Sequence, residues 1–289
     1  MGAFRLSAMS TDRRAETRPG RTLIGWMSPG AAEAALAGQR QSELGRPEHQ
    51  QRAALARRAA EQRRPSVGTK DVVIDLPPEL EASQATLAED HRLAAAFAAG
   101  MRLALVDLRR VCAVQSGVIT DQTVPDLDPD DLEAIVAFTV RVPAQPKLEI
   151  QYDSGRRAWI ILAPDFNLRI VGEFKTEFED GAVGLGFQVR ELGTSVRVVH
   201  YQDRFLLIDG YHRAVALLSR GIHVVPALVG GVEISDLLGG AGGIRPEAFL
   251  GDRPPLLPDF WDDEVSAEVQ IPAETRVLIV EALDIRAFG

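Results

Sequence analysis

Residues 48–64 are rich in Ala, Gln and Arg, and Leu55 is their only large aliphatic side chain. Such a stretch can coil into a helix but offers almost no apolar face to bury. Ser28-Pro29 and Arg46-Pro47 are helix-start signals, because a proline at the first helical position sacrifices no hydrogen bond. Pro65-Ser66-Val67-Gly68 ends the second of these helices. Val72 to Leu76 is a short apolar piece, broken by Pro77-Pro78. Ala-rich sequence with Leu87, Leu93 and Phe97 then predicts a helix over 80–99, with Gly100 as its stop. From Arg102 the period shortens: Leu103 and Leu105 alternate with Ala104 and Val106, which predicts a strand with a bend over 102–114.

The acidic run Pro125-Asp126-Leu127-Asp128-Pro129-Asp130 lacks the glycine and glutamate of an EF-hand and reads as an Asx-rich helix start before Leu132. Residues 147–190 read as strands joined by tight turns. Leu148, Ile150 and Tyr152 share a face, Asp153-Ser154-Gly155 is a hairpin signal, and Trp159-Ile160-Ile161-Leu162 reads as a buried return strand. Gly181, Gly184 and Gly186 are expected in a flexible loop. They do not form a dinucleotide fingerprint, since Val189 stands at the third glycine position and no helical pattern follows. The same fold logic assigns Gly239-Gly240-Ala241-Gly242-Gly243 to a linker and Thr275–Ala282 to a last strand that packs back on the body.

Ser195–Val229 differs in kind. Val196, Val198 and His200 alternate with Arg197, Val199 and Tyr201 as a strand, Gln202-Asp203 turns the chain, and Arg204–Ile208 is a second strand. It ends in Asp209-Gly210-Tyr211-His212-Arg213. Ala214, Val215, Leu217 and Leu218 then follow at helical spacing, Gly221 closes the helix, and Val224–Val229 is a third strand. A helix start carries backbone N–H groups without intrahelical acceptors and the positive end of the dipole. Gly210 would let backbone approach a ligand closely. Arg213 offers a planar fork for phosphate oxygens. His212 can donate a hydrogen bond or move a proton. Asp209 can hold a metal ion or accept a proton from a hydroxyl. Tyr211 is placed as a pocket wall. Each also has a purely structural alternative: Asp209 as helix cap, His212 as a hydrogen-bonded scaffold residue, Arg213 in an ion pair.

The segment Leu207-Ile208-Asp209-Gly210-Tyr211-His212-Arg213-Ala214, with Ala216, Gly221, Val225 and Pro226, resembles the signature turn of the ParB/sulfiredoxin-like superfamily. Leu103–Leu108 resembles the opening strand of such domains. The resemblance implies a small mixed-sheet α/β (α+β) domain over 101–230 that binds nucleotide phosphates at this turn. It implies Gly210, Tyr211, His212 and Arg213 as the phosphate cradle, Asp209 and His212 as catalytic residues, and Asp209 as a metal ligand. Magnesium and a nucleoside triphosphate, ATP or CTP, are the expected cofactors. The departures narrow the chemistry. Tyr211 stands where sulfiredoxin has its catalytic cysteine, and residues 231–289 lack the helix-turn-helix of chromosome-partition proteins.

Composition adds boundaries. With one cysteine, Cys112, the chain has neither an internal disulfide framework nor a cysteine-rich zinc module. The apolar run Leu93–Met101 stops after nine residues at Arg102, too short to span a bilayer. No membrane association and a cytoplasmic setting are therefore expected. Residues 1–70 hold 13 Lys and Arg against 6 Asp and Glu, and the rest hold 19 against 35, within a net charge of −9. This gives the expected organisation: a basic, largely disordered or helical arm at 1–70, a helical bridge at 71–100, the ParB/sulfiredoxin-like domain at 101–230, and a Gly/Pro-rich extension with a terminal strand at 231–289. The arm is expected to be dispensable for folding. DNA contact by the arm is the weaker alternative beside a solvated tail, since so acidic a body suits phosphate backbones poorly. The leading expectation is a nucleotide or phosphate binder that could also catalyse phosphoryl transfer or nucleotide hydrolysis. The alternatives are a non-catalytic module that senses nucleotide or binds a protein partner, and a ParB-like nuclease.

Overall fold

A computed structural model of the chain describes residues 17–38, 41–65, 70–90, 93–141, 148–155, 157–163, 168–191, 194–231, 244–272 and 276–281. It divides into two compact units, one of 1–141 with 195–273 and one of 142–194 with 274–289. The boundaries expected near 70, 100 and 230 are not where the chain divides. The second unit interrupts the 101–230 region, and the first takes in the described part of the N-terminal arm. The helices and mixed sheets make this an α/β protein.

The first unit is built on a six-stranded mixed sheet. Its strands are β2 (Val73–Ile74), β3 (Arg102–Asp107), β4 (Cys112–Ala113), β12 (Arg197–Tyr201), β13 (Arg204–Asp209) and β14 (Val224–Gly231). They lie in the order β2-β3-β14-β12-β13-β4, with β12–β14 and β13–β4 parallel and the other pairs antiparallel. The centre is the most apolar part: Val225, Ala227 and Leu228 of β14, Val198 and Val199 of β12, and Leu206 and Leu207 of β13 are buried. That continuous burial is what strands covered on both faces require. Helix α5 (Leu132–Thr139) starts at Asp131, whose carboxylate accepts the Ala134 N–H at 3.0 Å, so the acidic run does cap a helix. It seats Ile135 in the core and runs into β6 (Val140–Arg141), while the two-residue β11 (Thr194–Ser195) leads into β12. The expected bend after β3 is a 3-10 turn at Leu108–Arg110. The single helix expected over 80–99 is instead α3 (Glu81–Glu89) and α4 (Ala94–Ala98).

The arm is where expectation and structure part. Helices α1 (Pro29–Ala37) and α2 (Pro47–Gln62) begin at the two prolines, as the sequence predicts. Ahead of them, however, β1 (Thr17–Thr22) forms the middle of a sheet between β5 (Gly117–Ile119) and β15 (Ala267–Pro272). Leu23, Ile24 and Trp26 follow it into the interior, and the Trp26 indole donates to the Arg253 carbonyl at 2.8 Å. Helix α2 needs no large apolar side chain, because it packs through Ala53, Ala56 and Ala60; a Cβ on Gly25 would lie 2.9 Å from the Ala56 carbonyl.

The arm's charge is spent on the chain's own acidic segment. Arg63 pairs with Asp259 at 2.5 Å and with Asp262, and Arg21 pairs with Asp263 and lies 5.6 Å over the Trp261 ring. Arg52 donates to the Ser266 carbonyl at 2.7 Å. The triplet Asp262-Asp263-Glu264 is thus in part a counter-charge. It follows α7 (Pro246–Phe249) and the 3-10 helix Leu257–Trp261, which buries Phe260.

The second unit is all β among its described residues. One sheet has the order β16-β8-β7, from β7 (Glu149–Asp153), β8 (Ala158–Ala163) and β16 (Arg276–Glu281). The other is a hairpin of β9 (Leu168–Glu177) and β10 (Val183–Glu191). The Asp153-Ser154-Gly155 turn is present, with the Asp153 carboxylate accepting the Gly155 N–H at 2.9 Å. Two expectations fail here. Trp159 is half exposed, not buried, although Ile161 of the same strand is covered. Gly184 and Gly186 lie inside β10, where Phe178 and Phe174 occupy the space a Cβ would take. The last strand, β16, packs on β8. The glycine run 239–243 lies outside the described residues.

Candidate phosphate site

The turn after β13 is a strand-to-helix junction. Helix α6 (Tyr211–Ser219) starts at Gly210, which has φ +80° and ψ +20°. It ends in a Schellman arrangement, with Gly221 at φ +78°, the Gly221 N–H on the Leu218 carbonyl and the Ile222 N–H on the Leu217 carbonyl. Gly210 is needed for two reasons. Its left-handed φ disfavours a side chain, and a Cβ there would lie 2.7 Å from Val196 Cα and 2.8 Å from the Ser195 carbonyl oxygen. The close approach that glycine permits is therefore to the backbone at Ser195 and Val196, just ahead of β12, a correction to the expectation that it lets the backbone approach a ligand.

Asp209 is not the helix cap, since Gly210 holds that position. One carboxylate oxygen of Asp209 accepts the Gly210 N–H at 2.7 Å. Burial raises its carboxyl above the usual range, against the lowering effect of the Gly210 and Ser195 backbone and the Arg197 and Arg213 guanidinium groups. Arg197 stands directly across the β12–β13 ladder from Asp209, a cross-strand opposite-charge pair, with its Nε on the Ser195 hydroxyl at 2.8 Å.

Tyr211 is a core residue, contrary to its placement as a pocket wall. Its ring is buried, and its hydroxyl accepts the Val114 N–H at 2.7 Å and the Gln115 N–H at 3.1 Å while donating to the Leu207 carbonyl. The phenol thus staples the helix start to the segment between β4 and β5. Tyr211→Phe leaves two part-buried N–H groups without that acceptor and is expected to lower stability by about 2–3 kcal/mol. Urea unfolding of the pair of proteins checks this.

His212 is half-buried, and its Nδ1 accepts the Ile119 N–H at 3.0 Å. That bond requires a lone pair on Nδ1, so the ring proton sits on Nε2. Burial pushes its pKa down, Arg18 and Arg213 push the same way, and Asp121 opposes them. The neutral ring is thereby favoured, with Nε2 as a donor. Its only lone pair is already engaged, which argues against the role of proton acceptor. The folded-state pKa lies below the unfolded value near 6.5, so this contribution to stability is complete above about pH 6.5 and is lost as pH falls toward the folded value. His212→Asn can keep an acceptor for Ile119 while removing the titration. Wild type is expected to lose melting temperature relative to His212→Asn between pH 7 and pH 5 (about the range in which histidine titrates); parallel thermal melts check it.

Four residues beyond the expected set complete the site. Ile119, on β5, ties His212 to the arm through the pairing of β5 with β1. Arg18 of β1 forms a two-pronged ion pair with Asp121, at 2.6 and 3.0 Å. Arg197 comes from β12. Only Arg197 carried a sequence signal, as the polar position between Val196 and Val198. With Arg213 the site gathers three guanidinium groups and two carboxylates around a helix N-terminus, an excess of positive charge suited to an anion. The donor set does not fit a protein-held divalent ion, because such an ion would meet Asp209 beside Arg197 and Arg213. Among the described residues, no group of three or more His, Cys, Asp or Glu is placed to hold a metal. Cys112 is buried in β4 and its thiol is pushed up to about 11 by burial, so it is no nucleophile.

Comparison with family models, with curated proteins and with solved structures returns no match to this chain. Among the described residues, no helix is long and apolar enough to cross a membrane.

Proposed function

We propose that the β13–α6 turn binds a phosphate-bearing ligand, with a nucleotide as the leading class, and that it does so without using histidine as a base. The observation that carries this reading is the state of His212. Its Nδ1 is held by Ile119, its neutral form is favoured, and its remaining nitrogen is a donor beside the charge of Arg213. Donors at a helix N-terminus complement phosphate oxygens. The resemblance of Asp209-Gly210-Tyr211-His212-Arg213 to the ParB/sulfiredoxin-like turn supports the same ligand class. Asp209, tied to the backbone and facing two arginines, holds the turn and balances its charge. The binding-only reading accounts for this geometry better than phosphoryl transfer, which would require a free proton acceptor.

The test separates the roles residue by residue. Arg213→Ala is expected to weaken nucleotide affinity about 10- to 150-fold, the loss of one charge-assisted phosphate contact. His212→Asn is expected to weaken binding less, since it removes one neutral donor. Isothermal titration of wild type and both variants with ATP and CTP reads these differences. Equal affinity in all three proteins contradicts the assignment. Turnover that disappears in His212→Asn while binding remains would make the histidine a catalyst after all.

A further inference from the structure

The β9–β10 hairpin is short of strands, although its Val189 packs against Ile161 of β8. Among the described residues it is a two-stranded sheet with both outer edges open, and such hairpins are marginal in water. It is also strongly apolar on its surface. Leu185 is 78% exposed and Phe178 56%, with Phe174, Val183, Ile170 and Phe187 all close to half exposed. An open edge flanked by such side chains is a template for strand addition.

The charge order along β9 points to what covers it. Glu173 and Lys175 flank Phe174 on the same face of the strand, opposite in sign and exposed. We infer that β9 pairs antiparallel with β9 of a second copy of this chain, about a two-fold axis through Phe174. That axis sets Glu173 against Lys175 and Gly172 against Thr176 of the second copy, each pair formed twice. The charged pairs are complementary on one face, where Lys175 also holds Glu177 of its own strand at 2.6 Å. On the other, Phe174 meets Phe174 of the second copy. Beyond Gly172 the β9 ladder shifts register, so the complementary stretch is Gly172–Thr176. Neighbouring registers are worse. An axis at Glu173 or Lys175 puts like charges face to face, and an axis at Thr176 sets Lys175 against Glu177 but opposes Glu173 to Glu179. The outer edge of β10 carries no alternation of sign about its middle, because Val183–Val189 holds no charged residue. The product is a four-stranded sheet, β10-β9-β9-β10, that joins two marginal hairpins.

Light scattering coupled to gel filtration tests this on the full chain. Wild type is expected to elute as a dimer at micromolar concentration. Glu173→Lys alone and Lys175→Glu alone each place like charges across the axis and are expected to elute as monomers. A one-to-one mixture of the two is expected to regain the dimer, because each interface then has opposite charges in both pairs. The double variant Glu173→Lys with Lys175→Glu is expected to dimerise alone, which guards against a folding defect in either single variant. A monomeric wild type, a dimer that survives both single substitutions, or single variants that neither the mixture nor the double variant rescues would each overturn the inference.

Discussion

Deleting residues 1–70 is expected to abolish cooperative folding of the larger unit. The deletion removes β1 from the middle of its sheet and takes Leu23, Ile24 and Trp26 out of the interior. Each of those side chains contributes about 1.5–3 kcal/mol by burial, against a total stability of about 5–15 kcal/mol for a typical domain. The deletion also strips Arg21 and Arg63 from Asp263, Asp259 and Asp262, leaving part of the acidic segment without counter-charge. Asp259 matters most among these, because it is buried and its carboxyl is already raised by burial. A milder form is Trp26→Ala, expected to cost about 3–5 kcal/mol. Circular dichroism and thermal melts of the truncated chain give the answer; a melting temperature near that of wild type would show that the arm is dispensable.

Gly210→Ala is the second change with a large expected effect, about 2–4 kcal/mol. The left-handed φ of +80° costs about 1 kcal/mol for a non-glycine residue. Contact of the new Cβ with Val196 Cα at 2.7 Å adds the cost of moving backbone just ahead of a central strand, about 1–3 kcal/mol. The two effects separate experimentally. Gly221→Ala shares the conformational cost, yet nothing lies within 4 Å of its Cβ. It should therefore lose about 1 kcal/mol only. Similar losses at the two glycines in urea unfolding would remove the argument from close packing.

The β13–α6 region was legible because its signals are local. An Asp-Gly pair, apolar positions at helical spacing and a closing glycine each constrain a few adjacent residues. What each residue does was less legible, since roles depend on contacts remote in sequence. Tyr211 is adjacent to His212, yet its hydroxyl is taken up by the backbone at 114 and 115, and His212 is fixed by Ile119. The arm's strand gave no warning because Thr-Arg-Pro-Gly-Arg-Thr has no apolar alternation. It joins the sheet through its backbone, and its buried Arg21 is satisfied by the Ser266 hydroxyl at 2.8 Å and by the Phe260 carbonyl. Gly184 and Gly186 misled for a related reason. Glycine weakens a strand by leaving its face bare, and here the cover comes from Phe174 on the neighbouring strand and Phe178 just past its end. The charge asymmetry between arm and body also had an internal meaning: the arginines at 21, 52 and 63 serve the segment 259–266.

The central claim is that the turn at Gly210 holds phosphate through donors, with no proton acceptor and no protein-held metal. Titration calorimetry of wild type with ATP, CTP and inorganic phosphate, each with and without magnesium, tests it most directly. The account predicts heat of binding for at least one of the three, the signal persisting in EDTA and falling steeply in Arg213→Ala. No heat with any of them, or binding untouched by the loss of Arg213, would contradict it.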